Sequence, residues 1–101
     1  MEKIVDDSYK SIVDSEGYVI LDFSSPGCAP CKKVPPLIEE IISDLPDKDI
    51  KGYEIDVTEN PSSAQDYFVL GVPTIIVFKN GKELKRFNSV PGKAKIIKAI
   101  K

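Results

Sequence analysis

The sequence predicts an α/β fold: a central mixed sheet of four to five strands flanked by helices on both faces. Three observations lead there. The chain has 101 residues, and at roughly 100–200 residues per domain it makes a single domain over residues 1–101. Its apolar pattern alternates between helical spacing and short continuous runs. Asn80-Gly81 then stands between two strand-like segments, the strongest short-range signal of an antiparallel hairpin. Strands alternating with helices and ending in a hairpin require parallel and antiparallel neighbours in one sheet.

Each element has its own warrant. Lys3-Ile4-Val5 reads as a small strand. Tyr9, Ile12 and Val13 fall on one helical face, with Asp6 and Asp7 as candidate caps and Gly17 as the stop. Tyr18–Phe23 (YVILDF) is almost wholly apolar, as a central strand covered on both faces must be. Val34, Leu37, Ile38, Ile41, Ile42 and Leu45 share one face of an amphipathic helix, which Pro35 and Pro36 are expected to kink. Lys51–Val57 is a further strand. Asn60-Pro61 sets an N-cap residue before a proline suited to the first helical position, opening a short helix to about Phe68. Thr74–Lys79 and Lys82–Phe87 are the hairpin strands, and Lys93–Ile100 is the last predicted helix.

Composition narrows the chemistry. There are two cysteines, one methionine, no histidine and no tryptophan. Without histidine there is no Ser-His-Asp or Cys-His catalytic pair and no histidine-ligated zinc. Two cysteines cannot frame a disulfide scaffold or a four-thiolate metal site within one chain, so no metal and no other cofactor is expected. The start, Met-Glu-Lys-Ile-Val-Asp-Asp, lacks the pattern of a secretory signal, and no apolar run approaches the roughly 18 residues of a membrane span. A cytoplasmic chain without membrane contact is expected. Residues 1–78 carry six lysines against fifteen acids, whereas residues 79–101 carry seven lysines and Arg86 against one glutamate. Those late lysines are interleaved with Ile96, Ile97 and Ile100, and no aromatic or glycine-rich motif accompanies them. A solvated helix face is expected there, not nucleic-acid binding.

The remaining chemistry converges on Cys28-Ala29-Pro30-Cys31, between the YVILDF strand and the amphipathic helix. A thiolate is the reactive form of cysteine, and free N–H groups at a helix start lower the pKa of a thiol there. The spacing gives one attacking sulfur, Cys28, and one resolving sulfur, Cys31, a turn further in. Pro30 suits a first turn, where its missing N–H costs nothing. A structural disulfide and a metal site shared between two chains are the competing readings. C-x-x-C beside alternating strands and helices favours redox exchange over both. Asp22 stands alone in the apolar strand. If buried, its pKa rises toward neutrality and it can take the proton from the second thiol; if it faces water, it is only a strand-end acid. Pro73 belongs at the first residue of its strand, because it cannot donate to a ladder.

Together these residues resemble the thioredoxin family. The resemblance runs from about Asp6 to Ile100 and rests on Asp22-Phe23, Cys28-Ala29-Pro30-Cys31-Lys32, Pro36 and Ile55-Asp56. It continues through Asn60-Pro61, Tyr67, Gly71-Val72-Pro73-Thr74 and Phe78-Lys79-Asn80-Gly81. It implies the thioredoxin fold and a reversible dithiol–disulfide exchange enzyme, with Cys28 and Cys31 as the redox-active disulfide. Asp22 matches the family's buried acid and proton relay, and Pro73 its cis-proline. The backbone at Val72 would pair with an extended segment of the target. Gly27, Ala29 and Pro30 beside the cysteines, with Ser89 and Val90 in a later loop, would complete the target-binding surface. The implied partners are a flavin-dependent thioredoxin reductase as electron donor and disulfide-containing target proteins, with the chain a monomer. A non-catalytic thioredoxin-fold binding subunit, or an electron donor dedicated to one reductase system, is the alternative.

The departures from the family pattern are specific. Gly27 stands where the family usually has tryptophan, and Ala29 where it has glycine. The resulting Gly-Cys-Ala-Pro-Cys resembles thioredoxins of amino-acid-fermenting anaerobes. The lysine that usually accompanies the buried acid aligns with Gly52, and Lys51 should point to the opposite face. Losing that cation is expected to push Asp22 higher still.

Overall fold

The computed structural model describes residues 1–100. Five strands, β1 (Glu2–Lys3), β2 (Tyr18–Ser24), β3 (Ile50–Asp56), β4 (Thr74–Lys79) and β5 (Lys82–Phe87), form one sheet in the order β1-β3-β2-β4-β5. The β1, β3 and β2 strands are parallel, whereas β4 runs antiparallel to β2 and β5 to β4. Four helices, α1 (Tyr9–Val13), α2 (Val34–Asp44), α3 (Pro61–Asp66) and α4 (Lys93–Ile100), cover its two faces.

The central strand explains the two-layered core. Side chains alternate across a strand, so β2 sends Val19, Leu21 and Phe23 to one face and Ile20 and Asp22 to the other. The first set packs with Tyr9, Val13, Ile55, Ile76 and Phe78 under α1. Tyr67, just past α3, meets Tyr9, Phe23 and Phe78 edge-on at centroid distances of 5.9, 6.3 and 5.3 Å. On the other face Ile20 packs with Val34, Ile38 and Ile41 of α2, Ile75 and Val77 of β4, and Ile96 and Ile100 of α4. Each such buried aliphatic side chain contributes about 1.5–3 kcal/mol relative to exposure. The hairpin turn has Asn80 at φ 50° and Gly81 at φ 85°, as a two-residue I′ connection requires. The Asn80 side chain also accepts the Gly17 N–H at 2.9 Å, tying the turn to the start of β2.

Four local expectations change. Pro35 and Pro36 do not interrupt a continuous helix. Pro30–Lys33 forms a separate 3-10 turn and α2 begins at Val34, which places both prolines in its first turn. Their missing N–H groups are ones that the first turn leaves unpaired anyway. Asp6 and Asp7 do not cap α1, whose N-cap is Ser8 without a side-chain bond. Asp6 instead caps α3 across the fold, accepting the Ser63 N–H at 2.9 Å and the Ser62 N–H at 3.2 Å. Asn60 keeps the N-cap position of α3 but makes no side-chain capping bond to that helix; its side-chain Oδ1 accepts the Asp6 N–H at 3.0 Å. The first strand is Glu2–Lys3 rather than residues 3–5, although the Ile4 N–H still bonds to the Glu54 carbonyl at 2.9 Å.

The basic C-terminal segment is partly paired. Lys93 at the start of α4 donates to Glu40 at 2.8 Å and Asp44 at 2.7 Å on α2.

Candidate active site

Sheet register gathers the site at one end of the sheet. Ser24 at the end of β2 is level with Asp56, Phe23 faces Thr74 at the start of β4, and Ile75 faces Phe87 at the end of β5. The segments carrying Cys28, Pro73 and Ser89-Val90, far apart in sequence, therefore all leave the sheet at the same end.

Cys28 and Cys31 are joined in a disulfide with their Cα atoms 5.3 Å apart. Cys28 is half-buried, whereas Cys31, within the 3-10 turn, is only 3% exposed. The Cys31 N–H points at the Cys28 sulfur at 3.2 Å. A donor so placed favours a charged sulfur over a neutral one once the bond opens. The two sulfurs thus differ in access and in electrostatics. The helix start that the spacing predicts is a 3-10 turn here, and the α-helix begins three residues after Cys31.

Asp22 is fully buried, 0% exposed, and neither carboxylate oxygen has a hydrogen-bond partner. Burial pushes its pKa up to about 7, and the nearby Glu54 charge adds to the rise. The strand-end reading, with Asp22 facing water, is excluded by that burial. Gly52 shows why no lysine follows in β3 on this face. A Cβ there would lie 2.8 Å from Cγ2 of Ile38, closer than real contacts allow, and 3.0 Å from Sδ of Met1, so the Ile38 side chain would have to shift and Met1 to give way. Helix α2 packs directly over the glycine. Lys51 points away to solvent, as its alternation predicts.

The Val72–Pro73 peptide is cis, and Pro73 directly precedes β4. Gly27 is exposed and a Cβ there would meet nothing within 4 Å, so the backbone has room for a side chain that the sequence omits. Val90 packs partly against the α2 and α4 core, and Ser89 lies exposed beside it. Alternation along β3 puts Glu54 on the face of Gly52, a placement the period-2 pattern of the strand carries. Phe68 and Leu70 join the site with no motif in the sequence to mark them. They are 80% and 99% exposed and line a shallow groove with Gly71, Val72, Thr74, Arg86 and Asn88. Phe68 sits at φ 54°, a left-handed conformation uncommon for an aromatic residue. Among the described residues, no group of three or more Cys, Asp or Glu side chains is placed to hold a metal, and no helix is long and apolar enough to cross a membrane.

A C-x-x-C disulfide with one accessible sulfur, set at the end of a mixed sheet beside a cis-proline, defines a thiol–disulfide oxidoreductase. The Thioredoxin family model matches residues 1–101, and the chain belongs to that family. It is 35% identical over 99 residues to the thioredoxin of Mycolicibacterium smegmatis, covering 96% of this chain and 88% of the relative. It is 42% identical over 80 residues to the thioredoxin of Bacillus subtilis (strain 168), covering 79% and 75%. Its fold superposes with a TM-score of 0.84 on a chain from a structural study of thiol resolution in yeast mitochondrial 1-Cys peroxiredoxin. That match is 22% identical in sequence and covers 99% of this chain and 92% of the other. Membership makes the chain an oxidoreductase that exchanges dithiol for disulfide through Cys28 and Cys31.

Proposed function

We propose that this chain is a cytoplasmic, monomeric, single-domain disulfide reductase in which Cys28 attacks and Cys31 resolves. The observation that carries the assignment is the asymmetry of the disulfide, half-accessible at Cys28 and buried at Cys31. In the reduced protein the Cys28 thiolate attacks a target disulfide and releases one target thiolate. Cys31 then attacks the mixed disulfide, re-forms the Cys28–Cys31 bond and releases the second. The target gains two electrons and the protein loses them. The Cys31 proton passes to Asp22, whose pKa near neutrality suits it to accept and return a proton at working pH.

The target strand is held by the backbone at Val72, ahead of cis-Pro73, with Ala29, Pro30, Ser89 and Val90 around the reacting sulfurs. Gly27 leaves out the family's indole, so apolar contact falls to Val72, Val90, Phe68 and Leu70. Thioredoxin reductase, a flavoprotein, returns the electrons, as is usual for the family.

Insulin reduction coupled to dithiothreitol tests the reading. Wild type is expected to precipitate insulin B chain, whereas Cys28→Ser falls to the uncatalysed background. Cys31→Ser is expected to accumulate mixed disulfides through Cys28. No trapped species, with wild type no faster than Cys28→Ser, would mean a binding module instead.

A further inference from the structure

Asp22 is fully buried, yet a proton relay must pass its proton on before the next turnover. The strand register shows where that exchange can occur. Asp22 on β2 is level with Glu54 on β3, and Glu54 is level with Lys3 on β1. Register partners on parallel strands share a face at a spacing of about 4.8 Å. Lys3, Glu54 and Asp22 therefore form one row, from an exposed cation through a half-buried carboxylate to a buried one. The Glu54 carboxylate is held by the Ser24 hydroxyl, which donates to Oε2 at 3.2 Å. Ser24, Glu54, Lys3, Asp56, Lys32 and Cys31 all line one open cleft of about 200 Å³. Cys31 thus borders the cleft, and buried Asp22 is the register partner of its lining residue Glu54 on the neighbouring strand.

We propose that Glu54 is a positioning residue for the exchange reaction, carrying the proton between buried Asp22 and the solvent of the cleft beside Cys31. This rests on the proton-relay role assigned to Asp22 above. As Cys31 attacks the mixed disulfide, the Cys31–Cys28 bond forms and the bond from Cys28 to the target breaks. The Cys31 proton goes to Asp22, from Asp22 to Glu54, and from Glu54 to water, while the target sulfur leaves as a thiolate.

Other groups around Asp22 offer no competing route. Its β4 register partner is Ile75, and α2 and α4 supply Ile38, Ile41 and Ile96 to this face. The charged groups at the mouth of the cleft are Lys3, Lys32 and Asp56. A carboxylate at 54 also opposes ionisation of its neighbour, consistent with the raised pKa of Asp22. The family's lysine would act from position 52, where the side chain of Ile38 crowds any Cβ. Two cations act on Glu54 here: Lys3, its register partner on β1, and the Met1 ammonium, which is held by Glu39 at 2.8 Å.

Two readouts test the role. Carbon-13 NMR of the carboxyl groups follows the Asp22 titration directly, and stopped-flow follows resolution of a Cys28 mixed disulfide. Glu54→Gln is expected to lower the Asp22 midpoint by about 1 pH unit, because a like charge is lost. It is also expected to slow resolution severalfold. Glu54→Asp, which keeps the charge and shortens the reach, should restore the midpoint and only part of the rate. In an Asp22→Asn background, Glu54→Gln should slow nothing further. An unchanged midpoint and rate, or equal slowing with and without Asp22, would overturn the proposal. If Asp22→Asn itself leaves resolution untouched, the relay reading of Asp22 fails, whatever the NMR midpoint reports about Glu54.

Discussion

The two faces of the sheet treat an aspartate in opposite ways. On the α1 and α3 face Asp6 is partly exposed and satisfied, its oxygens taking the N–H groups of Ser62 and Ser63 at the start of α3. Burial pushes its pKa up, but the bonds from Ser63 and Ser62 outweigh that and hold it below the usual carboxylate range. On the α2 and α4 face Asp22 is fully buried, unpaired and raised to about 7. A carboxylate that ties elements together is paired with donors. The one proposed to relay a proton is left without them, and the packing around it bears the cost.

The largest test of that contrast is the pH dependence of stability. Folded Asp22 stays protonated up to about pH 7, whereas the unfolded chain releases that proton near pH 4. The folded state therefore binds more protons between those values, and stability falls as pH rises through the window. The shift corresponds to about 4 kcal/mol, fully present below pH 4 and lost above pH 7. Urea melts of the oxidised protein should show the gap between Asp22→Asn and wild type moving in the variant's favour by about that amount from pH 4 to pH 8. Parallel pH profiles would place Asp22 in a solvated site.

Asp6 should respond with the opposite sign and a smaller size. Its pKa is depressed on folding, so its contribution is present above about pH 4 and disappears as pH falls through the folded value. Asp6→Ala is expected to cost about 1 kcal/mol at pH 7 and less as pH falls through the folded value, by the same melts. A loss independent of pH would make the residue a packing contact rather than a cap.

Leu70→Lys gives the smallest structural effect. The side chain is 99% exposed and belongs to neither core, so stability should change by no more than about 0.5 kcal/mol. Insulin reduction should slow severalfold, with reduction of a small, non-protein disulfide unchanged. Equal rates for both substrates would remove Leu70 from the target surface.

Much of the fold was legible because its signals are local. The helical spacing from Val34 to Leu45, the apolar run YVILDF, the Asn80-Gly81 turn and the C-x-x-C spacing each lie within a dozen residues. The errors occur where a second segment decides the outcome. Pro35 and Pro36 look like interior breakers until Pro30–Lys33 turns as a 3-10 segment and α2 starts after it. Asp6 looks like a cap for the next helix, but its carboxylate reaches α3 because β1 and β3 lie side by side. Asn60 holds the N-cap position its residue type predicts, but its side-chain Oδ1 takes the Asp6 N–H instead of a helix N–H.

By itself, the sequence determined the alternation of elements, the hairpin turn and the identity of the two reacting sulfurs. These follow from periodicity, backbone preference and residue type, which need no distant partner. Tertiary structure alone decided that Asp22 lacks any donor, and that Lys3, Glu54 and Asp22 form one row across three strands. Burial and register are properties of segments brought together from opposite ends of a fold. The raised pKa of Asp22 exists only once β3, β2 and the overlying helices have excluded water from it.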